Sequence, residues 1–167
     1  KPVKVITDAI EAGEIKGVCA IIGCNNLKGT HDENHLTLAK EMAKNDVLLV
    51  TTGCAAGAFA KAGLLNSDAV EKYAGEGLKS FIQKLDKAND LEEKLPLVFH
   101  MGSCVDNSRI FNLYVDMSKE MGVDLPKVPF VASAPEAMSE KAIAIGAWTV
   151  AMGIRVHVGV VPPIPGS

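Results

Sequence analysis

Aromatic residues, cysteines and long uncharged runs are all scarce in this chain of 167 residues. Only 5% of the residues are aromatic, four are cysteines, and the longest uncharged stretches, residues 47–60 and 142–154, are 14 and 13 residues long. A membrane-spanning helix needs about 20 apolar residues, so we expect none, and no signal peptide is visible. Four scattered cysteines are too few for a small disulfide-stapled secreted domain, which favours a reducing, cytoplasmic location.

An excess of one charge is also missing. Seventeen Lys and Arg residues stand against twenty Asp and Glu, so the formal charge is −3 and there is no basic stripe. Nucleic acid is therefore not expected as a partner. The 48% apolar content excludes disorder, and we expect residues 1–167 to form one soluble domain. Because the chain starts at Lys1 and ends on VPPIPGS, we expect it to be a fragment of a larger multidomain protein.

Short apolar runs alternate with longer, more polar segments, which is typical of alternating strands and helices. Runs rich in Val, Ile and Leu predict five buried strands, at residues 17–23, 47–52, 97–101, 128–132 and 156–161. Helical patterns lie at residues 3–12, 36–44, 55–62, 68–85, 108–121 and 136–152. These crossovers are long enough to join parallel strands. The sequence predicts an α/β fold: a three-layer, Rossmann-like, doubly wound, mostly parallel sheet of about five strands.

Three cysteines follow three of these strands at the same position. The segments IIGCNN, VTTGCAAG and FHMGSCVDN each deliver a glycine and then Cys24, Cys54 or Cys104. The carboxyl ends of parallel strands meet at one edge of the sheet, so we expect the three thiols to share that edge. Cys19 lies inside the first predicted strand, and we interpret it as a core residue.

Several chemistries fit three thiols at one edge. Each thiol could be a small buried hydrophobe, or one could be a nucleophile served by His31, His35 or His100, although that leaves two unexplained. Zinc is possible, but its usual signature is closely paired cysteines, whereas 30 and 50 residues separate these. Clustered thiolates require cations, which favours a metal–sulfur cluster. No G-x-G-x-x-G or P-loop pattern is present, so nucleotide binding would rest on fold analogy alone.

Lys141 is the candidate cation beside these thiols. Ser133 and Glu136 fit a capping box that would start the last predicted helix, and no charge follows Lys141 for 13 residues. A helix that is apolar all round is typical of a core. Lys141 shares a helix face with Ile145 and Trp148, which is an unusual place for an exposed amine. We therefore expect a functional lysine rather than an ordinary solvated one.

The segments IIGCNN, TTGCAAGAFAKAGLL, HMGSCVDNSR and ASAPEAMSEKAIAIGAW resemble the C-terminal part of the nickel-containing carbon monoxide dehydrogenases, anaerobic enzymes with a Ni-Fe-S active-site cluster. The resemblance covers nearly the whole chain. It implies oxidation of CO with water to CO2, two protons and two electrons, and the reverse reduction. It also implies site roles by position: iron binding by Cys24 and Cys54, nickel binding by Cys104, CO2 or carboxylate binding and proton movement by Lys141, and a pocket wall at Ile145.

The resemblance further implies a homodimer with a ferredoxin-like electron acceptor or an acetyl-CoA synthase as partner. In that family the cluster also takes a histidine and further cysteines from an earlier domain. We therefore expect this chain alone not to assemble the complete nickel cluster and to be inactive by itself. A hybrid-cluster-type iron–sulfur domain and a metal-free Rossmann-like binding module remain alternatives.

Other polar residues are weaker candidates. Strand alternation puts His100 within the sheet, either as a core histidine or beside the cluster ligands. Asn25 and Asn26 could hydrogen-bond to cluster sulfurs or cap the following turn. The charged residues in segment 80–94 fit a solvated helix face and loop.

Overall fold

The computed structural model describes residues 2–89 and 94–160, and over these ranges it has five strands and seven α-helices. The strands are β1 Gly17–Ile21, β2 Val47–Thr51, β3 Val98–His100, β4 Phe130–Ala134 and β5 Arg155–Val158. The helices are α1 Pro2–Glu11, α2 Glu33–Lys44, α3 Gly53–Lys61, α4 Asp68–Tyr73, α5 Glu76–Asn89, α6 Ser108–Met121 and α7 Glu140–Ala151. No helix in these ranges is long and apolar enough to cross a membrane.

The five strands form one sheet in the order β3-β2-β1-β4-β5, with every pair parallel. The chain steps from β1 outward to β3 and then returns to place β4 and β5 on the other side of β1. The order therefore reverses between β1 and β4, as in a doubly wound sheet, and opens a crevice at their carboxyl ends. The predicted fold class is confirmed.

The centre of the sheet is built from β1, whose five residues are all buried. Helix α2 packs against β1 and β2, and its buried residues are His35, Ala39 and Ala43. These residues recur every fourth position, so they form one stripe, and two of them are small enough for the helix to approach the sheet closely. Cys19 has no exposed surface, which confirms it as a core residue.

One predicted helix, residues 68–85, is wrong, because the chain forms α4 and α5 with a break at Ala74 and Gly75. Ala74 is extended, and Gly75 lies so close to Asp46 that a Cβ atom would collide with its carboxylate. The same carboxylate accepts a hydrogen bond from the Leu78 N–H at 2.9 Å and so satisfies a free amide in the first turn of α5. A side chain distant in sequence therefore sets this break.

The predicted start of the last helix is also wrong. Ser133 belongs to β4, where it pairs with both β1 and β5, and Glu136 lies in the connection before α7. The residue that precedes α7 is Ser139. Sheet pairing on both sides of β4 outweighs the local capping-box signal, and the strand extends to residue 134 rather than 132. The other strands differ from the prediction by one to three residues at their ends, and residues 90–93 and 161 of the predicted segments lie outside the described ranges.

Helix α7 is not the core helix that its composition predicts. Thr149 is its one buried residue, whereas Ile143 is 39% exposed and Trp148 is 45% exposed. The helix packs on β4 and β5, and its Trp148 ring contacts Phe111 of α6. Several of its apolar side chains therefore remain partly exposed.

Burial of Cys19 predicts a pH dependence of stability. Burial raises the pKa of the Cys19 thiol from 9.0 to about 12. Because the folded state then keeps a proton that the unfolded state has lost, the stabilisation is complete below pH 9 and is lost as the pH rises towards 12. We expect the free energy of unfolding to fall by up to about 1.4 kcal/mol per pH unit in this window. Urea unfolding at several pH values measures this slope, and Cys19→Ala should reduce it. An equal pH dependence of the free energy of unfolding in the unaltered protein and in Cys19→Ala would show that the Cys19 thiol is not its source.

Candidate metal–sulfur site

Cys24, Cys54 and Cys104 follow three neighbouring strands of the sheet. They come after β1, β2 and β3, respectively, and therefore lie at the same edge. All three are free thiols; Cys24 and Cys104 are half-buried and Cys54 is exposed at the start of α3. The parallel direction of the strands produces this juxtaposition.

We call the segments that follow β1, β2 and β3 and carry Cys24, Cys54 and Cys104 the cysteine turns. Backbone hydrogen bonds join these three turns to one another. The Ala55 N–H donates to the Gly23 carbonyl at 3.3 Å, and the Gly53 N–H donates to the Gly102 carbonyl at 3.3 Å. Gly53 has a φ of +67°, and a Cβ atom on it would lie 2.8 Å from Cβ of Cys104. Glycine is therefore required there for two reasons, backbone conformation and close approach.

Side-chain hydrogen bonds also hold the Cys104 turn in place. The Thr52 hydroxyl donates to Oδ1 of Asn107 at 2.8 Å, and Nδ2 of Asn107 donates to the Cys104 carbonyl at 3.2 Å. Thr52 and Asn107 are both buried. This short chain of hydrogen bonds connects the end of β2 with the turn after β3.

Hydrogen bonds across the crevice join the Cys24 turn to the connection between β4 and α7. Glu136 is only 1% exposed, and its two carboxylate oxygens accept the backbone N–H groups of Asn26 and Asn34, each at 3.2 Å. In the opposite direction, the Asn26 side-chain amide donates to the Ala137 carbonyl at 2.7 Å. The two connections thus satisfy each other's buried polar groups.

Ser139, in the connection between β4 and α7, contacts the Cys24 sulfur. Its Oγ atom lies 3.7 Å from Sγ of Cys24. Lys141 follows two residues later, in the first turn of α7, and is exposed. Over residues 2–89 and 94–160, the Lys141 amine has no hydrogen-bond or salt-bridge partner.

Helix α2 also supports the Cys24 turn. Nε2 of His35 lies 2.8 Å from the Cys24 carbonyl and donates to it when it carries the proton. The ring is fully buried and packs edge-on against Phe59, 6.2 Å between ring centres. Its other nitrogen, Nδ1, has no hydrogen-bond partner in the described part of the chain. His35 is therefore a structural support of this turn.

A charged group links the Cys24 turn to helix α3, which carries Cys54 in its first turn. The side-chain amide of Asn25 donates to Asp32, and the same carboxylate pairs with Lys61 of α3. Asp32 is 7% exposed and has a left-handed backbone conformation. Asn25 and Asn26 therefore both serve the local turn, and Asn26 also accepts the Lys28 N–H at 2.8 Å.

Cys104 and Ile145 line the same cavity, which has a volume of about 30 Å³. The wall is almost entirely apolar and includes Ile22, which directly follows β1, and Ala142 and Gly146 from α7. The rings of Phe111 and Trp148, 3.7 Å apart between centres, hold α6 against α7 outside this cavity. The structure thus brings Ile145 to Cys104, whereas Lys141 is not part of the cavity wall.

The cysteine arrangement suits a cluster better than a single ion. Neighbouring strands lie about 4.8 Å apart, so thiols after three successive strands spread over roughly 10 Å, whereas a zinc–sulfur bond is about 2.3 Å. Among the residues that the structure describes, no three His, Cys, Asp or Glu side chains surround one ion position. In a cluster each thiolate binds a different metal atom, so the three need not converge.

Sequence reasoning missed the residues that fix the Cys24 turn. It placed His100 within the sheet, where His100 is the last residue of β3, but the side chain is exposed, which excludes the core alternative. Glu136 is an acid within the apolar segment FVASAPEAM, which is a signal of a buried, hydrogen-bonded carboxylate. His35 falls on the buried stripe of α2, which its spacing to Ala39 could have indicated. The Ser139 contact spans 115 residues and left no local signal.

Replacing Gly53 should loosen the site. In Gly53→Ala the new Cβ must either push Cys104 away or force the left-handed backbone to change. We expect the free energy of unfolding to fall by about 2–4 kcal/mol. Gly57→Ala, in the same helix with no atom within 4 Å of the added Cβ, is the matched control and should be neutral or slightly stabilising. Denaturant unfolding compares the two variants, and equal effects would contradict the proposed contact.

Replacing Glu136 should release the Cys24 turn. In Glu136→Ala the N–H groups of Asn26 and Asn34 lose their acceptor, which should cost about 2–3 kcal/mol of stability. Hydrogen exchange should accelerate at these two amides while the amides of β2 stay protected. Glu140→Ala, an exposed acid four residues later, serves as control. Unchanged exchange at residues 26 and 34 would show that the carboxylate does not hold the turn.

Comparison with known proteins places this geometry in one family. The model of the Prismane/CO dehydrogenase family matches residues 1–167. The carbon monoxide dehydrogenase/acetyl-CoA synthase subunit beta of Moorella thermoacetica is 56% identical over 99% of this chain. The carbon monoxide dehydrogenase of Rhodospirillum rubrum is 52% identical, also over 99%. The chain covers only 25% and 26% of the length of these relatives.

Solved structures agree with this result. A structure of acetyl-CoA synthase/carbon monoxide dehydrogenase, described with NiZn[Fe4S4] and NiNi[Fe4S4] clusters in its alpha subunits, matches with a TM-score of 0.95 at 56% identity. The match covers 99% of this chain and 25% of that chain. Carbon Monoxide Dehydrogenase IV from Carboxydothermus hydrogenoformans matches with a TM-score of 0.92 at 52% identity, over 99% of this chain and 26% of that one. The chain therefore belongs to the Prismane/CO dehydrogenase family.

Proposed function

We propose that this chain is the part of a nickel–iron–sulfur carbon monoxide dehydrogenase that supplies three cysteine ligands to the active-site cluster. The enzyme would oxidise CO with water to CO2, two protons and two electrons, and catalyse the reverse reduction. The observation that carries the proposal is the set of three cysteine turns, joined by backbone hydrogen bonds at one edge of a parallel sheet. Family membership supports the same assignment.

The donor set fits such a cluster. Thiolates are soft ligands that suit iron–sulfur and nickel centres, and Cys24, Cys54 and Cys104 are free and not deeply buried. Cys24 and Cys54 would hold iron atoms and Cys104 would hold the nickel. When bound, the cluster would supply metal atoms that bind CO, activate water and accept electrons.

This chain's own residues would shape the reaction space. Ile145 and its apolar neighbours in the cavity wall would exclude water beside Cys104 and restrict entry to small molecules. The Lys141 amine would stabilise the negative charge that develops on the oxygens of CO2 and would move a proton to or from them. Lys141 lies in the first turn of α7, two residues after Ser139, which contacts Cys24.

The chain spans about a quarter of the length of the relatives it matches, and three thiolates leave part of a cluster without ligands. We propose that the whole enzyme provides the remaining ligands and that this chain alone neither assembles the complete cluster nor oxidises CO. We further propose a homodimer in the cytoplasm, where free cysteines stay reduced, with a ferredoxin-like electron acceptor or an acetyl-CoA synthase as partner. The naming of the Moorella relative as a subunit of carbon monoxide dehydrogenase/acetyl-CoA synthase supports the latter.

Elemental analysis of the whole enzyme, purified without oxygen, tests the cysteine assignment. We expect nickel, iron and CO-dependent dye reduction in the unaltered enzyme. Cys24→Ala and Cys54→Ala should lose iron and activity, and Cys104→Ala should lose nickel first. Cys19→Ala is the matched control, because this thiol is buried in β1, and it should keep both metals. Iron without nickel or CO oxidation would favour a hybrid-cluster-type domain, and neither metal would favour a metal-free binding module.

Lys141 is tested separately from the ligands. In the whole enzyme we expect Lys141→Ala to lower kcat for CO oxidation by about 100-fold while the nickel and iron contents stay unchanged. Lys141→Arg should retain part of the activity because it keeps the positive charge. Lys119→Ala, which removes an exposed lysine from α6, is the control. Full turnover of Lys141→Ala with an intact cluster would refute the role of the amine.

A further inference from the structure

The Ser139 hydroxyl is not used by the helix that it precedes. Ser139 has the extended backbone of an N-cap residue, with φ −124° and ψ 164°, and its carbonyl accepts the Ala142 N–H at 2.9 Å. A serine at this position usually bonds through its side chain to an amide of the first turn. Here that bond is missing among the described residues, and Oγ lies 3.7 Å from Sγ of Cys24 instead.

The direction of this contact depends on the state of the sulfur. Between a thiol and a hydroxyl, either group can donate. A cysteine that binds a metal is a thiolate and has no proton. The Ser139 hydroxyl must then be the donor, and a hydrogen bond to an ionised acceptor is stronger than one to a neutral acceptor.

Both sides of the contact are held in place by other groups. On the Ser139 side, Glu136 and Ala137 accept hydrogen bonds from Asn26, which lies two residues after Cys24. On the Cys24 side, Nε2 of His35 lies 2.8 Å from the Cys24 carbonyl. Because Glu136 and His35 are each at most 1% exposed, the approach of hydroxyl to sulfur is set by buried hydrogen bonds rather than by two freely rotating side chains.

We propose that the Ser139 hydroxyl donates a hydrogen bond to the Cys24 thiolate and thereby raises the reduction potential of the bound cluster. Reduction adds negative charge to the cluster and its sulfurs, so a donor at one sulfur stabilises the reduced form more than the oxidised form. Ser139 is thus a residue that tunes and positions a ligand rather than a catalytic residue. The inference rests on the proposed function, since it requires Cys24 to bind metal.

A potentiometric titration of the whole enzyme, followed by the EPR signal of the cluster, tests the inference. We expect Ser139→Ala to shift the potential to a more negative value, so that the ratio of reduced to oxidised cluster at a fixed potential falls about fivefold. Ser139→Thr keeps a hydroxyl at an N-cap position that tolerates threonine and should retain the original potential. Ser67→Ala is the matched control, because Ser67 is also a half-buried N-cap serine without a side-chain cap bond.

Each outcome bears on the inference. A negative shift in Ser139→Ala alone supports it, and an unchanged potential with full metal content overturns it, as does an equal shift in Ser67→Ala. Should Ser139→Ala lose its metal, retention of metal and potential in Ser139→Thr supports the hydrogen bond, and loss in both variants overturns it. Absence of nickel and iron from the unaltered enzyme would instead contradict the proposed function.

Discussion

The parallel direction of the sheet is the constraint on which the candidate site depends. With β3, β2 and β1 side by side and pointing the same way, the turns that follow them must meet at one edge. Residues from three distant parts of the sequence become neighbours without any long loop. Amide-to-carbonyl bonds between the turns then make the edge a connected unit, so a displacement of one turn strains the next.

The crevice between β1 and β4 divides the contributions to this unit. The β1–β3 half of the sheet supplies the sulfur atoms, whereas the β4–β5 half supplies the Ser139 hydroxyl and, through α7, part of the apolar cavity wall. The pairing of β1 with β4 joins the two halves, and Glu136 adds a connection at this edge, because its buried carboxylate accepts hydrogen bonds from two amides on the other side. Leaving a buried acceptor without its two donors costs free energy. Movement of one half relative to the other would break these hydrogen bonds, so their relative position is well defined.

Features that depend on local pattern could be predicted from the sequence. Apolar runs gave the parallel strands, and glycine followed by cysteine at three strand ends gave the shared edge. Predictions failed where distant residues decide the outcome: Asp46 breaks the helix pattern of residues 68–85, and pairing of β4 on both sides overrides the capping box at Ser133. The apolar composition of α7 predicted burial, but composition does not say which part of a protein provides the cover.

The packing of α7 has a practical consequence for spectroscopy. Trp148 is the single tryptophan of the chain, and its ring lies 3.7 Å from that of Phe111 between centres while remaining 45% exposed. Indole fluorescence of the chain therefore originates at one point, the junction of α6 and α7. Any event that lifts α7 from its neighbour, or that covers it with another surface, changes the polarity around this one fluorophore and becomes visible without a label.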